Sequence, residues 1–334
     1  MQPLNLTFIN GPDITQLVLS NDEILDAVAS ALHAQGTDQT VIEPRVHLVP
    51  KSSDKGHFNI LRGVVHPLGV AGVKVVGDFV DNYKKGLPSE LAVLTLFCPE
   101  TGTPKAIIDA SAITDMRTGA MTALGAKHLA DKNSSVLGHI GARGTAYWNV
   151  RLLNHLFPLT EIRVHSRRPE SRNAFAEQLR QDLQRDITVT DNWQDCIEGA
   201  DIMVEASRLP EPHPHLKTEW IKPGSFIVPY GTMSAVEFSL TDIMDKIVVD
   251  DWGQCAPGKP FGSLRRHVDE GKVTQESIHG ELGQIVCGEI AGRESASETN
   301  LFWHRGLSTS DIALGCAIVN KAQSLGIGQQ LRFR

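Results

Sequence analysis

The sequence predicts an α/β protein in which an antiparallel β region is followed by a doubly wound parallel sheet. Residues 41–109 hold β-branched, alternating segments typical of half-buried strands. From residue 136 onward, short apolar runs alternate with helical patterns at βαβ spacing. The first of these runs, Val136 to Ile140, breaks into Gly141-Ala142-Arg143-Gly144-Thr145-Ala146 and then into a stripe of Ala146, Val150 and Leu153. A phosphate-binding strand-turn-helix has this form. Its second glycine is missing, because Arg143 stands where Gly-x-Gly-x-x-Gly/Ala would place it, so the turn needs support from its context.

In chain order, Ile24, Ala27, Val28 and Ala31 make one face of an opening helix over Asn21 to Leu32, with Ser20 or Asn21 as its cap. Strands are expected over Val41–Val49, Phe58–Val65, Gly72–Val76, Leu91–Cys98 and Lys105–Asp109, the last two joined by the turn from Pro99 to Pro104. Arg45 and Lys74 fall inside these strand patterns. A charge there either faces solvent on a polar face or meets something anionic. A helix rich in small residues follows from Ala112 to Ala130, with Arg117 near its start, where a guanidinium and a helix N-terminus together suit a carboxylate or phosphate.

Beyond the glycine turn come strands at 161–165, 187–189, 200–206, 225–231 and 246–251, with helices at 170–183 and 193–198 between the earlier ones. This alternation is the context a dinucleotide turn requires. Gly141, Ala142, Arg143 and Gly144, with Ala206, Ser207, Tyr230 and Gly231 at later strand ends, form the candidate cofactor set. The second strand ends in Ser166-Arg167-Arg168, where an acidic residue would select NAD and an arginine suits a 2′-phosphate. The expected cofactor is NAD(P)(H), with NADP(H) favoured.

Composition narrows the function classes. A length of 334 residues suggests about two domains, and no apolar run approaches the roughly 18 residues of a membrane span. A net charge of −7 disfavours nucleic acid as a partner. The five cysteines are scattered, which argues against disulfides or zinc, and His213-Pro214-His215 has no ligand companions, so no metal is expected. The start Met1-Gln2-Pro3-Leu4-Asn5 shows no secretory pattern, which points to the cytoplasm.

Arg45, Gly72-Val73-Lys74, Pro99-Glu100-Thr101-Gly102, Met116-Arg117-Thr118-Gly119-Ala120, the glycine turn, Gly292-Arg293, Leu301-Phe302 and Gly306-Leu307-Ser308-Thr309-Ser310-Asp311-Ile312-Ala313 together resemble the ornithine cyclodeaminase/mu-crystallin family over nearly the whole chain. The resemblance implies a Rossmann domain, residues 131–307, inserted into a split α+β domain for substrate binding and dimerisation, residues 1–130 plus 308–334. It implies that Arg45 and Arg117 hold an α-carboxylate, that Lys74 binds it or assists proton transfer near an imine nitrogen, and that Thr118 approaches the cofactor from the other domain. Cyclodeaminases of the family carry an aspartate in the segment matching Tyr230-Gly231-Thr232-Met233-Ser234, where this chain has no acid. The expectation is therefore a homodimeric reductase/dehydrogenase acting on a small α-imino or α-amino acid. A cyclodeaminase with recycled NAD and a non-catalytic NADP(H)-binding protein are the alternatives. Phe58, Asn59, Phe79, Tyr83 and Met233 are candidates to meet the substrate side chain. Trp303-His304 could lie by the nicotinamide, although a packing tryptophan with a surface histidine is the plainer expectation.

Overall fold

A computed structural model describes residues 3–51, 56–257 and 261–334. Met1 and Gln2, which open the stretch searched for a leader, lie outside the described residues. The chain divides into two compact units, Met1–Arg117 with Leu307–Arg334, and Thr118–Gly306.

The first unit opens with β1 (Asn5–Ile9), α1 (Gly11–Gln16) and α2 (Asn21–Gly36). Ser20 caps α2 by a capping box: its hydroxyl accepts from Glu23 N at 3.1 Å and Glu23 accepts from Ser20 N at 2.7 Å. Then come β2 (Thr40–Ile42), β3 (Val46–Leu48), β4 (Gly56–Val65), β5 (Val70–Phe79), β6 (Glu90–Phe97) and β7 (Pro104–Asp109). The strand expected over 41–49 is thus two short ones, both paired with β4. Pro44 has no N–H to give a ladder and interrupts the run, which puts Arg45 in the connection rather than inside a strand. Helix α3 (Ser111–Leu129) follows. The boundary between the units falls inside it, after Arg117 and not after residue 130, because from Gly119 onward its small residues pack on Trp148 and Phe302 of the second unit.

The second unit is built on β8 (Val136–Ile140), β9 (Glu161–His165), β10 (Thr188–Val189), β11 (Ile202–Glu205), β12 (Phe226–Pro229), β13 (Lys246–Val249), β14 (Gly280–Glu281) and β15 (Asn300–Trp303). Its helices are α4 (Ala146–Leu156), α5 (Pro169–Leu183), α6 (Trp193–Ile197), α7 (Trp252–Cys255), α8 (Arg265–Asp269) and α9 (Leu282–Val286). Every strand pair is parallel, in the order β10-β9-β8-β11-β12-β15-β13-β14. The order reverses between β8 and β11, which is the switch point of a doubly wound sheet. β11, β12 and β15 are buried along their whole length, as strands covered on both faces must be. β15 lies outside the strands expected from the sequence, yet it sits between β12 and β13.

The chain then returns to the first unit as α10 (Ser308–Leu325) and β16 (Gln329–Arg332). That unit's sheet runs β16-β1-β7-β6-β5-β4-β2, with β3 also on β4. It is antiparallel as expected, except that β1 lies parallel to β7. Helix α10 covers one face of this sheet, and two glycines allow the approach: a Cβ at Gly72 would strike Ile312 and one at Gly315 would strike Leu94. Among the described residues no helix is long and apolar enough to cross a membrane.

Candidate active site

Lys74 lies mid-strand in β5 on the face that α10 covers, and only 1% of it is exposed. A buried ammonium needs an anion and hydrogen-bond acceptors. Both are present: Lys74 Nζ donates to Asp311 Oδ1 at 2.6 Å and to Thr114 Oγ1 at 3.1 Å. Arg117 reaches the same oxygen, its Nε donating to Asp311 Oδ1 at 2.9 Å. Burial pulls the Lys74 ammonium down to about 8; Asp311 opposes the shift, and Arg117 and Arg45 add to it. Burial alone would raise the Asp311 carboxyl, but the two cations outweigh it and hold it below its ordinary value. Asp115, two residues before Arg117, is pushed up to about 6 by burial and by the like charge of Glu90.

The structure thus brings Lys74 and Arg117 together, with Arg45 close enough to act on Lys74 electrostatically. It adds Asp311, which stood in the sequence only as part of a C-terminal motif. Among the side-chain candidates, Asn59 shares the Lys74 face of the sheet. Phe58 and Phe79 take the opposite face by the register Phe58↔Gly77 and Leu61↔Lys74, and they pack edge to face with ring centroids 5.3 Å apart. Tyr83 is 65% exposed, and Met233 belongs to the second unit.

In the second unit the glycine turn follows β8 at the switch point. Gly141 has φ +113°, and a Cβ there would lie 2.7 Å from the carbonyl oxygen of Ala206 at the end of β11. Only glycine fits a backbone in that conformation at that approach. Gly144 also has positive φ, +47°, and α4 begins at Ala146. Arg143 is exposed. Arg167 and Arg168 are exposed at the end of β9, and Ser166 is half-buried beside them. Thr118 is buried at the start of the second unit.

A polar chain supports the turn from beneath. Asn149 Nδ2 donates to Tyr230 Oη at 2.6 Å and to His139 Nε2 at 3.0 Å, and His139 Nδ1 lies 3.1 Å from Gly141 O. Burial lowers the His139 imidazole to about 4, so the neutral ring donates through Nδ1. Tyr230 and Thr145 share a hydrogen bond of 2.5 Å. His304 is not at the surface: it is 2% exposed, its ring lies 4.5 Å from that of Tyr230, and its Nε2 is 3.1 Å from Thr122 Oγ1. Trp303 is fully buried, as a packing residue should be. Glu205, at the end of β11, carries no signal of its own in the sequence. Its Oε1 accepts from Ser207 N at 2.8 Å and from the Ser207 hydroxyl. A Cβ at Gly231 would lie within 2.6 Å of its carboxylate, and burial pushes this carboxyl up to about 7. Among the described residues no group of His, Cys, Asp and Glu could hold a metal ion.

The second unit is a Rossmann-type doubly wound fold, and it is carried by a split α+β unit that holds the buried cation cluster. The chain belongs to the ornithine cyclodeaminase/mu-crystallin family, whose sequence profile matches residues 8–326. It is 31% identical over 330 residues to the alanine dehydrogenase of Archaeoglobus fulgidus, covering 98% of each chain. Among solved structures it is similar to the Thermococcus litoralis Delta(1)-pyrroline-2-carboxylate reductase in complex with NADH and L-proline, with a TM-score of 0.91, 27% identity and coverage of 98% of this chain and 100% of that one. It is also similar to an archaeal alanine dehydrogenase dimer with bound NAD, with a TM-score of 0.89, 29% identity and coverage of 99% and 100%.

Proposed function

We propose that the protein is an NAD(P)H-dependent reductase/dehydrogenase that interconverts a small α-imino acid and its α-amino acid. The observation that carries this reading is the Lys74–Asp311–Arg117 cluster, in which two buried cations share one carboxylate oxygen. In direct contact the cluster sets two buried cations against one carboxylate, an arrangement suited to a substrate α-carboxylate, and Arg45 also acts on Lys74 electrostatically. The names of the similar proteins, an alanine dehydrogenase and a pyrroline-2-carboxylate reductase, point to the same chemistry.

The residues at the switch point fit a dinucleotide. Gly141 and Gly144 give a backbone that a phosphate can approach, and Ala142, Ala206, Ser207, Tyr230 and Gly231 line the strand ends around it. Bound there, a reduced nicotinamide supplies a hydride to the imine carbon. Arg45 and Arg117 fix the substrate carboxylate, and Lys74 or a water it holds supplies the proton to nitrogen. Arg143, Arg167 and Arg168 have no ion-pair partner among the described residues, which favours NADP(H) through its 2′-phosphate. The split unit serves substrate binding and dimerisation in this reading. Val75, Leu91 and Val93 are 36%, 48% and 48% exposed on the sheet face away from α10, beside an apolar cavity of about 530 Å³ lined by Phe8, Phe58 and Phe79. A second copy of the chain would cover this face.

The test is NADPH and NADH oxidation with pyrroline and piperideine carboxylates, and with 2-oxo acids supplied with ammonia or methylamine. Stoichiometric cofactor consumption is expected. Proline and ammonia formed from L-ornithine with only catalytic NAD would instead identify a cyclodeaminase. Losing one charge-assisted carboxylate contact costs about 1.5–3 kcal/mol, so Arg45→Ala and Arg117→Ala should each lower kcat/KM roughly 10- to 150-fold, and Lys74→Ala at least as much. Near-normal turnover in all three would sink the assignment.

A further inference from the structure

Asp311 is separated from Lys74 by 237 positions and from Arg117 by 194, and it is wholly buried between them. Both cations converge on Oδ1, at 2.6 and 2.9 Å, and Oδ2 is buried with no hydrogen-bond partner. Arg117 is bound through Nε alone, so its two terminal nitrogens are uncommitted among the described residues. That arrangement is poor for an ion pair whose task is stability, since a buried guanidinium and carboxylate gain most from a two-pronged fork. It suits a group whose task is to leave the guanidinium fork and one lysine proton directed elsewhere.

We propose that Asp311 is a positioning residue which keeps Lys74 charged and turns the terminal nitrogens of Arg117 toward the substrate carboxylate. This rests on the substrate roles proposed above for Lys74 and Arg117. In the reductive direction a Lys74 N–H bond would break as the imine nitrogen gains its proton, the carbon being reduced by the hydride that a bound dinucleotide would supply, and water would return the proton to lysine. Arg117 on α3, Arg45 before β3 and burial all disfavour the charged lysine; Asp311 on α10 is the anion in direct contact with it, and Thr114 on α3 is neutral. Asp115 on α3, itself facing Glu90 on β6, also bears on Lys74 and titrates at lower pH. Removing Asp311 should therefore discharge Lys74 near neutrality.

The experiment uses the full-length enzyme with its cofactor. In Asp311→Asn the alkaline limb of kcat/KM for imine reduction should move to lower pH by more than about one unit, while Asp115→Asn, which removes a charge not in contact with Lys74, should move that limb by clearly less. Asp311→Glu, which keeps the charge but displaces it by one methylene, should retain the limb and raise KM at least about tenfold by moving Arg117. A limb unmoved in Asp311→Asn overturns the proposal. If Asp311→Asn does not fold, Asp311→Glu decides: a limb and KM both like the parent, or a limb moved to lower pH, overturns it. The titration of Lys74 followed by NMR of its labelled side chain reads the same shift without turnover. Full activity of Lys74→Ala with an NMR shift in Asp311→Asn would defeat the substrate assignment alone, whereas no NMR shift would defeat the role of Asp311.

Discussion

At Glu205, folding takes a carboxyl group out of water; Ser207 donates to its Oε1, but burial outweighs the hydrogen bonds it gains. Its folded value, about 7, lies above the ordinary 4.5, so the native state binds this proton more tightly than the unfolded chain does. Stability from this group is therefore full below about pH 4.5 and is lost as pH rises toward 7. Glu205→Gln should remove that dependence and stabilise the protein at pH 8 by up to about 3 kcal/mol, seen as a higher Tm at pH 8 and little change at pH 4.5. At the end of β9, Arg167→Asp should raise KM for NADPH at least about tenfold and leave KM for NADH nearly unchanged. A parent enzyme that prefers NADH would refute the role given to that arginine. Lys74 was legible in the sequence because an ammonium amid β-branched residues is out of place unless something meets it. Asp311 and Glu205 were not legible, because one finds its partners more than 190 positions away and the other lies at a strand end whose burial depends on neighbouring strands.

Among the elements, the turn after β8 has the least freedom to vary. Gly141→Ala places a Cβ against the Ala206 carbonyl in a conformation that L-residues rarely adopt, at a cost of about 1–3 kcal/mol. Thermal melting should show that loss, and cofactor fluorescence titration should show at least a tenfold weaker dinucleotide, since strand and turn must separate to admit the methyl. Normal affinity would mean that the phosphate does not use this backbone. The elements with strong periodicity, such as α2, β9 and α5, stood out in the sequence within a few residues. β15 did not, because three apolar residues flanked by polar ones carry too little pattern to separate a buried strand from a packed tail. β16 is exposed along its whole length and has no apolar side to betray it. The break between β2 and β3 was marked by Pro44, whose missing N–H outweighs the β-branched run around it.

For the whole molecule, an antiparallel region followed by a parallel sheet was legible in the order of the patterns, the split of the first unit around the second was an implication of the family resemblance, and the position of the first boundary came from neither. A helix that passes from one unit into the next has no break in its sequence, and α3 is continuous from Ser111 to Leu129. The apolar sheet face of the first unit gives a prediction at this scale. Leu91→Glu with Val93→Asp should convert a dimer into a monomer in sedimentation experiments, with the monomer retaining the parent's secondary structure. A parent that sediments as a monomer would leave that face without the occupant proposed for it.

The place of β15, α10 and β16 bears on how the chain acquires its structure. Strand β13 is made some fifty residues before the strand that joins it to β12, and the first unit's sheet stays bare on one face until α10 arrives. During synthesis neither hydrophobic layer can close until residues 300–325 have left the ribosome, so both sheets wait with open edges and long loops still to be closed. Slow maturation is the expected cost of inserting one unit within the sequence of another.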